Sequence, residues 1–148
     1  MKTRGFEVVS KYADAGINLP VRSTNHAAGY DIEAAEDVVI HAGQIKLVPT
    51  GIKAYMQPGE VLNLYDRSSN PRKKGVVLAN SVGIIDADYY GNPDNEGHIF
   101  AQLQNISQEA VNIKKGDRIV QGVFTPYLLV DDDVAGGART GGFGSTGA

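Results

Sequence analysis

Apolar residues along this chain come in short runs, and helical spacing of apolar positions is nearly absent. The runs are Phe6-Glu7-Val8-Val9, Val38-Val39-Ile40, Ile45-Lys46-Leu47-Val48, Gly51-Ile52-Lys53-Ala54-Tyr55 and Val61-Leu62-Asn63-Leu64-Tyr65. Further on come His98 to Leu103, Ala110 to Ile113 and Arg118 to Phe124. Each is bounded by Gly, Pro, Asn or Asp, and β-rich runs with turn signals every ~8–12 residues predict a sandwich or barrel. Alternation within Ile45–Val48 and His98–Leu103 predicts strands with one buried face. Two stretches depart from the pattern. Ser68-Ser69-Asn70-Pro71-Arg72-Lys73-Lys74-Gly75 predicts a brief helix, with Ser or Asn as cap, Pro at the first helical position and Gly at the stop. From Val134 onward strand character is lost. The expected organisation is one all-β domain over residues 1–134 and a glycine-rich C-terminal arm over 135–148.

Composition narrows the function classes. The 148 residues suit a single domain that buries a core without staples. A net charge of −3 argues against a dedicated nucleic-acid binder. No apolar run is long enough for a membrane span, and no apolar stretch of a secretory leader follows Met1–Gly5. The absence of cysteine excludes disulfides, thiol nucleophiles and zinc–thiolate sites and suits a cytoplasmic location. His26, His41 and His98 lack metal-ligand spacing.

Chemistry concentrates in five segments. Asn80-Ser-Val-Gly-Ile-Ile-Asp-Ala-Asp-Tyr-Tyr-Gly91 reads as a strand feeding a hairpin that presents carboxylates beside aromatics. Such a hairpin suits a planar ligand; a solvated turn with the tyrosines packed on the sheet is the plainer reading. In the tail, glycine and hydroxyl residues around Phe143 offer backbone N–H groups for an anion, Phe143 offers a face for a base, and Arg139 a partner for phosphate. Asp66-Arg67-Ser68-Ser69 puts a guanidinium and two hydroxyls at the start of the brief helix, a second candidate phosphate site. Ala27 to Ile32 places Asp31 between a glycine and a strand. Gly116 to Gln121 opens as a turn; Asp117 and Arg118 read as a structural ion pair, and Gln121 as an amide able to face a site.

In this order across the whole chain the segments resemble the five motifs of the trimeric dUTPases: Ala28–Ile32, Arg67–Ser69, Asn80–Gly91, Gly116–Gln121 and Gly141–Gly147. The resemblance implies a jelly-roll-like (β-clip) fold with one short helix, a homotrimer with shared active sites, and an arm closing over a neighbour's site. It implies hydrolysis of dUTP to dUMP and pyrophosphate by water attack on the α-phosphate. Mg²⁺ would sit on triphosphate oxygens and waters, with Asp31 acting through magnesium-bound water. Asp86 would deprotonate the attacking water, and Tyr89 would pack under the deoxyribose and exclude a ribose 2′-hydroxyl. Asn80, Gly83 and their backbone would read uracil, and Phe143 would stack on it. Arg67, Ser68, Ser69, Gln121, Arg139, Gly144 and Ser145 would position phosphates and water. Asp88 and Tyr90 would be scaffold. Limiting uracil in DNA and supplying dUMP for thymidylate synthesis would be the cellular roles.

Three departures from the family pattern stand out. Ser69 replaces a glycine, only Thr140 separates Arg139 from the double glycine, and Asn92-Pro93-Asp94-Asn95-Glu96-Gly97 is inserted after Gly91. The plain reading of that insertion is a surface loop; the sharper one is a contact, with a protein partner meeting Asn92–Glu96. Two competing functions are a dCTP deaminase, which would use a proton-shuttling Glu that the 80–91 segment lacks, and a nucleotide sensor acting through the inserted loop.

Overall fold

Eleven antiparallel strands and three single helical turns build the chain in a computed structural model that describes residues 1–142. The strands are β1 (Gly5–Val8), β2 (Tyr30–Glu33), β3 (Val38–Ile40), β4 (Ile45–Pro49), β5 (Ile52–Tyr55) and β6 (Glu60–Tyr65). They continue as β7 (Val76–Leu78), β8 (Gly83–Asp86), β9 (Phe100–Asn105), β10 (Val111–Ile113) and β11 (Arg118–Pro126). The expected all-β, jelly-roll-like architecture is what the chain forms. Its largest sheet runs β2-β11-β6-β8, a second runs β4-β9-β7, and β1-β5 and β3-β10 form two-stranded ribbons.

Period-two alternation drives the packing. In β9, Ala101, Leu103 and Asn105 point inward; in β8, Gly83 and Ile85 are buried while Ile84 and Asp86 face out. One core joins Ile32, Ile40, Leu62, Leu64, Ile99, Leu103, Ile113 and Ile119, all essentially without solvent contact. Asn105 is tolerated inside because its amide donates to the carbonyls of Ile40 and Glu109, at 2.8 and 2.7 Å, and its oxygen accepts from Ser107. β4 departs from the one-buried-face expectation: Val48 is inside, but Ile45 and Leu47 are about half exposed.

Local chemistry corrects several expectations. The segment after β8 is no hairpin, because β8 pairs with β6 whereas the next strand, β9, pairs with β4 and β7 in the other sheet. A helical turn at Ala87–Tyr89 and a loop knotted by Asn92 and Asn95 carry the chain across instead. That loop also delays the strand expected from His98 until Phe100. β7 follows too short an apolar run to be anticipated, and Asp31 lies within β2 rather than before it. The brief helix is one wide turn, Asn70–Lys74, with Pro71 at its start and Gly75 at φ 72° as its stop. Ser69 makes no capping bond from its side chain; Asn70 holds the turn instead. The expected Asp117–Arg118 ion pair is absent from the described residues. Asp117 caps its own turn through the Lys114 N–H, and Arg118 pairs with Asp31 at 3.9 Å.

Candidate active site

The motif residues that the structure describes fall into two groups on one chain. Asp31, Arg67 and Gln121 meet first, because β11 sets Gln121 between Asp31 of β2 and Tyr65 of β6. The Gln121 amide donates to the Asp66 carbonyl at 3.0 Å, so it shapes the turn before Arg67. Gly29 makes room for Gln121 as it stands, since a Cβ would come within 2.1 Å of the Gln121 side-chain oxygen and displace it. Arg67 reaches Asp31 at 3.3 Å and also donates to Ser69 Oγ and the Arg118 carbonyl. Ser68 is exposed on the same turn. Sequence reasoning overlooked the buried polar frame beneath. Asp66 accepts from Asn70 at 2.8 Å and from the Leu78 N–H at 2.9 Å, while Asn70 also donates to the Ile119 carbonyl at 2.7 Å. The four-residue spacing from Asp66 to Asn70 was the available signal. The result is a partly solvated surface of one guanidinium and two hydroxyls, able to bind an anion.

The second group lines a cavity of about 450 Å³ between β8 and the β9 sheet. Asn80, Gly83, Ile84, Ile85, Asp86, Tyr89, Arg139 and Gly142 line it, with Leu64, Leu78, Phe100 and Gln102 as walls that the motifs did not reveal. A tight turn enters it: Val82 N–H donates to the Asn80 carbonyl at 2.7 Å, and Ser81 sits at φ 65°, unusual for a non-glycine residue. Gly83 serves packing as well as lining, because a Cβ there would lie 3.1 Å from that of Leu64. Alternation in β8 turns Asp86 outward to the rim.

Tyr89 is buried. Its hydroxyl donates to the His98 carbonyl at 2.5 Å and accepts from Asn95 Nδ2 at 2.9 Å. Burial pushes its phenol up, against the opposing influence of the Asn95 bond and the Arg139 charge. Arg139 lies 5.9 Å from the Tyr89 ring centre and donates to Asp86 at 2.5 Å and to Asp88 at 2.8 Å. These bonds, Asp88 foremost, hold the guanidinium above its ordinary range. Arg139 therefore rests on the outward carboxylates of Asp86 and Asp88, so Asp88 does more than build the turn. Tyr90 packs edge-on against Tyr55 and donates to Glu7 at 2.6 Å. Phe143, Gly144 and Ser145 lie outside the described residues.

The groups are far apart. Asp86 stands opposite Val61 on β6, and Arg67 follows beyond that strand's other end. At ~3.3 Å per extended residue the separation is roughly 15–20 Å. One chain therefore presents an aromatic, carboxylate-rimmed cavity and, separately, an anion-binding turn.

Comparison with known proteins gives this arrangement a context. A model of the dUTPase family matches residues 15–147. The chain is 68% identical to the deoxyuridine 5′-triphosphate nucleotidohydrolase of Lactococcus lactis over the full length of both. It is 39% identical to that of Chromobacterium violaceum over 88% of each chain. A crystal structure of dUTPase from Streptococcus mutans superposes with a TM-score of 0.83 at 63% identity, covering 86% of this chain and 98% of that one. A mutant dUTPase from phage phi11 of S. aureus, which coordinates a structural Mg(II) ion, shares the fold with a TM-score of 0.72 at 21% identity, covering 90% and 97%.

Proposed function

The chain belongs to the dUTPase family, a family of hydrolases in nucleotide metabolism, and on that premise we propose that it cleaves dUTP to dUMP and pyrophosphate in sites shared between three copies. The observation that supports this most is the cavity that brings Asn80, Asp86 and Tyr89 together. Its walls suit a flat pyrimidine, and its rim carries the one kind of group that water attack on phosphate needs. Asn80 and the backbone at Gly83 read the uracil edge, and Tyr89 lies under the sugar. Asp86 takes the proton of the attacking water as its oxygen bonds the α-phosphorus. The bond to the bridging oxygen breaks, and pyrophosphate leaves. General-base assistance of this kind contributes about 10²–10⁴ in rate.

Separation of the two groups supports the shared site. A triphosphate whose α-phosphorus lies beside Asp86 is out of reach of the same chain's Arg67, so Arg67, Ser68, Ser69 and Gln121 are supplied by a neighbour. Exposed apolar residues support assembly as well: Leu128, Leu129 and Val130 are 96, 69 and 75% exposed, and β4 offers Ile45 and Leu47. Residues 135–148 act as an arm that closes over a site, Phe143 stacking on the base while Arg139, Gly144 and Ser145 meet the phosphates.

Asp31 is the carboxylate at the anion-binding turn that magnesium-bound waters would meet. Asp31 is already paired with Arg67 and Arg118, so it offers its oxygens to metal-bound waters more readily than to the ion. Bound on the triphosphate, Mg²⁺ would supply charge neutralisation. Acting in the cytoplasm, the enzyme would limit uracil in DNA and provide dUMP for thymidylate synthesis. Among the described residues no helix is long and apolar enough to cross a membrane. Most of the inserted loop turns inward, so Pro93 and Asp94, its exposed tip, are the part available to a protein partner. The test is pyrophosphate release with Mg²⁺ from dUTP, dTTP, dCTP and UTP. Turnover of dUTP alone is expected, and ammonia released from dCTP would overturn the assignment in favour of a deaminase.

A further inference from the structure

The inserted residues Asn92–Gly97 stand behind Tyr89, which lines the cavity, and meet the cavity only through it. Asn92 is 2% exposed, and its amide donates to Asn95 Oδ1 at 3.0 Å. The Gly97 N–H donates to the same oxygen, also at 3.0 Å. Backbone bonds from Glu96 N–H to the Asn92 carbonyl and from Gly91 N–H to the Glu96 carbonyl close the loop on itself. Glu96 then ties it down from outside, accepting from Lys53 Nζ at 2.6 Å and from the backbone and hydroxyl of Ser10. Gly97, at φ 87°, is the hinge that allows this closeness; a Cβ there would stand 2.5 Å from the Tyr89 carbonyl.

All of this converges on one bond. With Oδ1 fixed by two donors, Asn95 can aim only Nδ2, and it aims it at the Tyr89 hydroxyl, 2.9 Å away. The same hydroxyl donates to the His98 carbonyl, so the phenol is gripped on both sides by residues of the loop and its exit. The ring so held walls the cavity, and the arm lies against it: a Cβ on Gly142 would sit 2.8 Å from Tyr89 Cε1. We propose that Asn95 is a positioning residue for substrate selection, fixing the Tyr89 ring so that a deoxyribose fits over it and a ribose does not. The proposal rests on the dUTP-hydrolase reading above and adds to it a role for the insertion. Without Asn95 the buried hydroxyl loses one of its hydrogen bonds, the ring gains freedom to tilt, and room for one more hydroxyl opens. Discrimination between the two sugars is a difference in how well each fits the ring, so small ring movements erode it.

The test is a double-mutant cycle of Asn95→Ala and Tyr89→Phe, reading kcat and KM separately for dUTP and UTP together with Tm. Asn95→Ala is expected to lower the dUTP:UTP ratio of kcat/KM about threefold to tenfold, the scale of one lost hydrogen bond. In the Tyr89→Phe background the same substitution should change that ratio less than about twofold, because the bond it removes is already gone. An unchanged ratio in Asn95→Ala, or equal effects in both backgrounds, would overturn the proposal and leave Asn95 a loop-building residue that moves only Tm. Calorimetric binding of dUDP and UDP to the same four proteins gives a ratio that needs no turnover. A parent that discriminates in binding but releases no pyrophosphate would therefore count against the enzymatic reading, and a binding ratio indifferent to Asn95 against the positioning role.

Discussion

Two individually dead variants should restore each other when they share a trimer. Asp86→Asn removes the base from the cavity, and Arg67→Gln removes the guanidinium from the anion-binding turn. On one chain these positions lie roughly 15–20 Å apart, since Val61 pairs with Asp86 and Arg67 follows beyond the end of β6. Reacting atoms must approach to about 3–3.5 Å, so one substrate cannot use both residues of a single chain. Each homotrimer should lose about 10²-fold or more in kcat. In trimers formed at random from equal amounts of the two chains, a site needs a wild-type Asp86 from one subunit and a wild-type Arg67 from another. Every trimer that contains both chains then carries both in one of its three sites, so activity after selection for both chains should recover to roughly a third of the parent value. The assay is pyrophosphate release by trimers co-expressed with two affinity tags and purified through both in succession. Mixed trimers no more active than the average of the two parents would refute the division of the site.

The other perturbations probe separate parts of the molecule. Arg139→Ala should leave assembly and Tm nearly unchanged, because its partners Asp86 and Asp88 are solvent-facing. It should lower kcat/KM for dUTP, which steady-state kinetics would show. Asn70→Ala takes a donor from the Ile119 carbonyl and leaves Asp66 with the Leu78 N–H, at a cost of about 1–3 kcal/mol for the buried carbonyl, and thermal denaturation should register a lower Tm. His98 is buried and accepts from the Gly51 N–H at 2.9 Å; burial, then the Lys11 charge, pushes its pKa down to about 4. Its folded value lies below the unfolded one, near 6.5, so its contribution to stability is complete above pH 6.5. The contribution falls by at most about 1.4 kcal/mol per pH unit as pH drops from there toward 4. Tm measured from pH 7 to pH 4.5 should show this slope, and His98→Gln should flatten it.

Strands were legible wherever one face alternates, as in β6 and β9, because burial enforces the period that the sequence displays. The 80–91 segment was read as a hairpin because two β-formers, a turn and a closing glycine carry the same local signal whether the next strand pairs beside them or in another sheet. That choice is made by β9 finding β4 and β7, a non-local event. Candidate chemistry at Asp31, Arg67, Asp86, Tyr89 and Gln121 was legible through motif order. The walls Leu64, Phe100 and Gln102 were not, because they come from neighbouring strands and carry no signature of their own. Nor was Asn95, whose role exists only because the loop folds back on Tyr89.

The outward face of β8 carries Ile84 and Asp86, and on an isolated chain both are left largely to water, with Arg139 paired to Asp86 at 2.5 Å. A base in open water is a poor catalyst, since solvent screens the charges it must act on. Ile84, 64% exposed beside Asp86, argues that this face is meant to be covered. A neighbouring copy that brings Arg67 would cover it, exclude water and add positive charge in the same step. Assembly would then be a condition of catalysis, and specific activity should fall on dilution in step with the trimer fraction. Because dUTP would bind across two chains, it should also oppose dissociation, shifting the dilution midpoint to lower protein concentration. A specific activity that stays constant while sedimentation shows monomers would break that link.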